Sequence, residues 1–274
     1  MMNRAESDWT DATSYDRYIG RWSRRIAEEF IDWLAPAPGA RWLEVATGTG
    51  ALAEVILRRT DPQTLVALDQ SSGYIAAARK RLADPRVSCV EGDALNLQFD
   101  AGAFDIVASA LALNHLPDPG LALDEITRVC TPGGTVAGYV WDYADGLELI
   151  KYLWHAAVDL DPSAAATDPA RRHATCNPHG LQLLLEGHGV TNVSTTALQA
   201  ATVFDDFDDY WEPLRAAQGS VTALFESLSE IEIEQLREGV RLCLPIRADG
   251  TIPLSAKAWA FRGQTLANRE RRMP

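Results

Sequence analysis

Trp42-Leu43-Glu44-Val45-Ala46-Thr47-Gly48-Thr49-Gly50 is the stretch whose reading decides the fold. Apolar residues run into an acidic side chain and then into two glycines one residue apart. A helical pattern, Ala51 to Arg59, follows at once. A parallel strand that turns sharply into a helix reads this way. Gly48 and Gly50 lack the Cβ atoms that would keep a ligand off the backbone. The helix start beyond them offers N–H groups with no intrahelical acceptor. Alone, the turn is ambiguous: as Gly48-x-Gly50-x-x-Ala53, with Asp69 about 20 residues on, it also fits the dinucleotide fingerprint.

Outward from the turn, strands and helices alternate. Upstream, Tyr18, Trp22, Ile26, Phe30, Trp33 and Leu34 recur at helical spacing, and Pro36, Pro38 and Gly39 end that helix. Downstream the pattern predicts strands over 41–46, 64–69, 86–91, 104–110 and 135–141. The helices between them cover 50–59, a segment capped by Ser71 or Ser72 and reaching Leu82, and 119–129. Thr131-Pro132-Gly133-Gly134 reads as a tight turn before the fifth strand. Such alternation means crossover connections and a parallel sheet covered on both faces. After Trp141 the pattern changes to a helix over 146–160, a Pro/Ala-rich connection over 161–177 and a helix over 178–189. A strand over 193–204, several helices over 205–250 and an alternating strand over 252–263 complete it. The expected organisation is a leading helix and ligand-binding half (1–141), a helical cap segment (142–176), a return to the sheet (177–204), a helical cap insertion (205–250), and a last strand with tail (251–274). The cap is expected above the strand ends.

Composition narrows the function classes. The chain carries 38 acidic against 25 basic residues, a net charge of −13, so its average surface repels a polyanion. Arg21, Arg24 and Arg25, and Arg269, Arg271 and Arg272, are the nearest approach to basic clusters, and they read as a solvated helix face and a chain end. No nucleic-acid partner is expected. No apolar run approaches the roughly 20 residues that span a bilayer, and no signal peptide opens the chain, so no membrane role is expected. Cys89, Cys130, Cys176 and Cys243 lie far apart, which argues against metal and disulfide frameworks and for a reducing cytoplasm.

Three further features close strands two, three and four. Asp69 ends Leu65-Val66-Ala67-Leu68, where a carboxylate fits a ribose diol, with Gln70 beside it. Gly92-Asp93-Ala94 follows the third strand, placing the Asp93 carboxylate for the amino group of an adenine. Ser109-Ala110-Leu111 closes the fourth. Ligands of open α/β sheets bind at such carboxyl ends, so the set converges on one crevice.

The chain resembles class I S-adenosylmethionine-dependent methyltransferases of the small-molecule group that includes the quinone-biosynthetic and glycine N-methyltransferase families. The resemblance rests on Leu43–Gly50, Ala67-Leu68-Asp69, Glu91-Gly92-Asp93-Ala94, Phe104-Asp105-Ile106-Val107, Leu113-Asn114-His115-Leu116 and Arg128–Gly134, covering about residues 40–141. It implies a Rossmann-like α/β fold, a doubly wound seven-stranded sheet with a reversed last strand, and S-adenosyl-L-methionine as cofactor. By resemblance, Glu44 stabilises the turn, Ala46, Thr47, Gly48 and Gly50 pass the methionine part, and Asp69 with Gln70 holds the ribose. Asp93 and Ala94 take the adenine, and Ala110 lines the sulfonium. Tyr15-Asp16-Arg17-Tyr18 and Arg24-Arg25 look like a segment closing over the cofactor, with Tyr15 and Arg25 as contacts; a helix covering the sheet edge is the other reading. Ala46 departs from the pattern, standing where the first glycine usually lies; a slightly tighter turn is expected, not lost binding.

Methyl transfer asks the protein to align the acceptor and exclude water. A base is needed only for a protonated acceptor, and His115 is then the first choice, although bracing the turn before Pro117 weighs slightly more. Trp141, Tyr143, Tyr152, Trp154, Phe204, Phe207, Tyr210 and Trp211 can line an aromatic acceptor pocket, with packing as cap core the better reading for most. The pattern lacks the Asn/Asp-Pro-Pro-aromatic of base-modifying enzymes and the carboxylates of metal-dependent catechol enzymes. No metal is expected, and the acceptor is a small molecule. The rivals are an NAD(P)-dependent oxidoreductase using the same turn and a non-catalytic cofactor-binding module. The chain is expected to be a monomer or homodimer.

Overall fold

A computed structural model of the chain describes residues 19–173, 176–215, 217 and 219–267. Seven strands form one sheet: β1 (Arg41–Val45), β2 (Thr64–Asp69), β3 (Val87–Glu91), β4 (Phe104–Ala110), β5 (Cys130–Trp141), β6 (Val190–Phe204) and β7 (Ile252–Thr265), in the order β3-β2-β1-β4-β5-β7-β6. β1 pairs in parallel with β2 and β4, β2 with β3, and β4 with β5. β7 is reversed. Its end meets the start of β5, where Thr265 Oγ1 donates to the Thr131 carbonyl at 2.6 Å, and the start of β6, where Thr191 Oγ1 donates to the Gln264 carbonyl at 3.1 Å.

The helices are α1 (Gly20–Leu34), α2 (Ala51–Arg59), α3 (Ser72–Arg81), α4 (Pro119–Val129), α5 (Glu148–Leu160), α6 (Pro169–Arg172), α7 (Pro178–Gly187), α8 (Phe207–Arg215), α9 (Ser220–Glu226) and α10 (Glu230–Cys243). One device starts several of them: an Asx side chain before a proline. Asp118-Pro119, Asp168-Pro169 and Asn177-Pro178 each put a capping oxygen 2.9 Å from a first-turn N–H, and proline fills a position whose N–H would have no acceptor. Asp161-Pro162 does the same for a 3₁₀ turn, Pro162–Ala166. The stretch read as a plain 161–177 connection therefore holds two short helical turns. Ser71, the first of the two serines considered, caps α3.

The described residues divide into two compact units. One comprises 23–140, 176–198 and 259–267 and holds β1–β4 and nearly all of β5. The lower part of α1 packs its Ile26/Phe30/Leu34 stripe inward, with Phe30 5.0 Å from Tyr139 of β5. The four-residue turn expected at 131–134 is absorbed into β5 as a bulge: Phe104 already pairs with Cys130, Ile106 pairs only with Thr135, and Gly133 takes φ +76°. Arg262 lies over the Trp33 ring at 4.7 Å and donates to the last carbonyls of α1.

The other unit comprises 19–22, 141–173 and 199–258. Its core is an aromatic chain, Trp22–Phe204–Tyr210–Phe207–Trp211–Phe225, with successive ring centroids 5.5 to 6.1 Å apart. Tyr210 also donates to the Leu149 carbonyl at 2.8 Å. Six of the eight aromatics read as pocket or core are buried; Tyr143, whose ring lies tilted against His173 with centroids 4.7 Å apart, and Tyr152 are partly exposed. The Asp142 carboxylate pairs with Lys257 at 2.6 Å and clips the 142–147 loop to the start of β7. No described helix is long and apolar enough to cross a membrane.

Candidate functional site

Ala46, Gly48 and Gly50 all take left-handed φ, at +59°, +56° and +84°. Three such residues within five wind the chain from β1 into α2 in a tight knot. Ala46 carries a Cβ in that region, at a cost of about 1 kcal/mol, which is the physical reason a glycine is the commoner choice here. The two glycines serve different ends. Nothing stands within 4 Å of where a Cβ on Gly48 would lie, whereas one on Gly50 would meet Leu82 Cδ1 at 3.1 Å. Gly48 thus faces open space and Gly50 backs onto the end of α3.

The turn is held to β2 at two points. Thr47 N–H donates to the Leu68 carbonyl at 2.8 Å, and Gly48 N–H donates to Asp69 Oδ2 at 2.9 Å. The other Asp69 oxygen accepts from Ser71 N–H at 2.9 Å, and Gln70 N–H adds a third donor. Burial nonetheless pushes the Asp69 carboxyl above the usual range. Glu44 is deeper, 1% exposed, accepting from Thr47 Oγ1 at 2.7 Å and from the Ala53 N–H. Desolvation outweighs both bonds and lifts its carboxyl to about 8, with the nearby Asp69 charge pushing the same way.

The neighbouring strand ends fall in beside this set. Gly92 N–H donates to the Asp69 carbonyl at 3.0 Å, and a Cβ on Gly92 would stand 2.9 Å from Leu68 Cδ1, so a larger residue here would have to push the Leu68 side chain aside. Asp93 follows, exposed, with Oδ1 accepting from Leu95 N–H at 2.9 Å, and Ala94 is buried. On the other side of β1, Glu44 is in register with Ala108, and Ala110 ends β4 two residues further on. The expected Glu44, Ala46, Thr47, Gly48, Gly50, Asp69, Gln70, Asp93, Ala94 and Ala110 therefore do sit at adjoining carboxyl ends of β1 to β4.

His115 closes a 3₁₀ turn (Leu113–His115) after β4 and is exposed. Arg25 is exposed on α1, and Tyr15 lies outside the described residues. Two features escaped the sequence reading. Leu111, just past Ala110, takes φ +58° with its N–H on the Tyr139 carbonyl at 2.7 Å, a conformation for which leucine gives no signal. Arg81 reaches Thr49 from α3, and nothing in the local pattern marks it. A cavity of about 430 Å³ lies at the opposite, amino ends of β1, β4 and β5, between Pro36, Asp105 and Pro132, away from this chemistry.

Residues 43–138 match the family described as "Methyltransferase domain". A demethylmenaquinone methyltransferase of Clavibacter sepedonicus is 38% identical over 104 residues, covering 38% of this chain and 42% of that protein. A ubiquinone/menaquinone biosynthesis C-methyltransferase, UbiE, of Ruegeria sp. (strain TM1040) is 35% identical over 111 residues, covering 39% and 44%. The chain thus spans less than half the length of these curated relatives. Among solved structures, phosphoethanolamine N-methyltransferase 2 of Haemonchus contortus, in complex with phosphomonomethylethanolamine and S-adenosylhomocysteine, shares the fold. The TM-score is 0.58 at 18% identity, over 97% of this chain and 59% of that one. Residues 43–138 are thus similar to a methyltransferase domain, and the chain shares its fold with a methyltransferase of known structure.

Proposed function

We propose that the protein is an S-adenosylmethionine-dependent methyltransferase acting on a small-molecule acceptor. One observation carries the choice of cofactor: the N–H of Gly48 is already taken by the Asp69 carboxylate, with the buried Glu44 behind the turn. A dinucleotide pyrophosphate needs such N–H groups and would meet the Asp69 carboxylate instead. A ligand with a sulfonium and an amino group suits the same acidic surroundings. When bound, that cofactor supplies a methyl group already activated by the sulfonium. The residues bind and orient it: Asp69 with Gln70 at the ribose, Asp93 and Ala94 at the adenine, the Ala46–Gly50 turn at the amino-acid end, Ala110 near the sulfonium, and Arg25 and Tyr15 from the leading segment. The family match ends at residue 138, so acceptor choice belongs to the remainder of the chain.

Calorimetric titration tests this directly. S-adenosylhomocysteine should bind, and at 100 times its Kd should raise the melting temperature by about 5 °C or more, through ~2.7 kcal/mol of ligand linkage. Heat on adding NAD, with none from S-adenosylhomocysteine, would overturn the reading. Methyl transfer to a small-molecule acceptor separates an enzyme from a non-catalytic binding module.

His115 is the residue to test for proton removal. If it serves as base, His115→Ala should slow single-turnover transfer by roughly 10²-fold and leave S-adenosylhomocysteine affinity intact. A joint fall in melting temperature and affinity makes it a brace for the turn before Pro117, and no change in either makes it a bystander.

A further inference from the structure

Arg81, the last residue of α3, belongs to none of the motifs that mark the site. Its Nη1 donates to the Thr49 carbonyl at 2.8 Å and to Thr49 Oγ1 at 2.9 Å, and its Nε stands 3.8 Å from Glu54 Oε2 on α2. Thr49 is the residue between the two glycines and is 2% exposed. The next residue after Arg81, Leu82, is the side chain that Gly50 backs onto. The end of α3 therefore grips the turn from one side, while Asp69 holds the Gly48 N–H from the other at 2.9 Å.

Glycines at φ +56° and +84° have little preference of their own among backbone basins, so bonds from outside must choose the shape of the turn. Thr47 and Asp69 fix the first half. The second half, the Thr49–Gly50 peptide, has its carbonyl aimed at a guanidinium, a stronger donor than a neutral group. We propose that Arg81 is a positioning residue: by holding the Thr49 carbonyl it sets the turn that receives the amino-acid end of the cofactor, without touching the cofactor itself. This rests on the cofactor reading above. It predicts an effect confined to one end of the ligand, since Asp69 and Asp93 hang from β2 and β3.

The test compares two ligands, S-adenosylhomocysteine and 5′-methylthioadenosine, which lacks the amino-acid end. Arg81→Met keeps an unbranched apolar stem in place of the arginine's and removes every donor. By calorimetry on the folded variant, affinity for S-adenosylhomocysteine should fall roughly tenfold while that for methylthioadenosine changes less than about twofold. If Arg81→Met does not fold, Arg81→Lys carries the test, with about a threefold loss for the first ligand and none for the second. Equal losses for both ligands would reduce Arg81 to a general support of the fold, and unchanged affinities would remove its role; either overturns the proposal. Failure of the unmutated protein to bind either ligand is a separate result that overturns the cofactor reading first and this inference with it.

Discussion

Asp69→Ala should weaken binding of S-adenosylhomocysteine about 30-fold or more, or ~2 kcal/mol, because a charged acceptor is lost in a mostly buried place. Two contributions act together. The proposed ribose hydroxyls lose their carboxylate, and the N–H groups of Gly48 and Ser71, each 2.9 Å from an Asp69 oxygen, lose their acceptor. Asp69→Asn separates them. It keeps one acceptor oxygen for the turn but loses the charge, so it should lie between the unmutated protein and the alanine variant. Titration of folded protein is the measurement. An alanine variant that binds as well as the unmutated chain would place the ribose elsewhere.

Glu44→Gln should reshape how stability depends on pH. In the folded chain the Glu44 carboxyl is pushed from 4.5 up to about 8, chiefly by desolvation. An acid whose folded pKa lies above its unfolded value binds its proton more tightly when folded. Its contribution is therefore complete below about pH 4.5 and is lost as pH climbs through about 8. At ~1.36 kcal/mol per pKa unit the loss reaches up to about 5 kcal/mol by pH 9. Glutamine carries no titrating proton and keeps one acceptor oxygen, while its NH2 can donate to the Thr47 hydroxyl. Denaturant titrations from pH 4 to 9 should show the two proteins diverging with rising pH, the variant becoming the more stable. Asp69 is shifted in the same direction and is present in both proteins, so the difference between the curves reports Glu44 together with its coupling to Asp69. Parallel curves would mean that Glu44 stays ionised in its buried place.

Much of the fold is local and so was open to reading in the chain. Apolar runs, the alternation of the last strand and period-3.6 patterns placed all seven strands and most helices, because burial is written in consecutive residues. Boundaries slipped where pairing partners decide them. β6 begins at Val190 and not 193, and β7 runs to Thr265 and not 263, since Thr191 and Gln264 extend each other's pairing across 73 residues of sequence. The short turns at Pro162 and Pro169 carry a local signal, Asp before Pro, within a stretch whose Pro/Ala-rich composition reads as a connection. In the site, the acidic residues and glycines announced themselves, because buried charge at a strand end is costly without a purpose.

The sequence by itself determined the strand–turn–helix at Glu44–Gly50, the carboxylates that close β2 and β3, and the order of alternation that yields a parallel sheet. These depend on each residue's own chemistry and on near neighbours. Tertiary structure alone decided the rest. It inserted β7 between β5 and β6, held Ala46 and Leu111 in left-handed conformations that neither residue favours, and brought Arg81 onto Thr49 from 32 positions away. It also removed the water around Glu44, and so pushed its carboxyl up to about 8. A carboxylate's solvation and a backbone's strain are properties of what packs against them, and in this protein the packing partners come from distant parts of the chain.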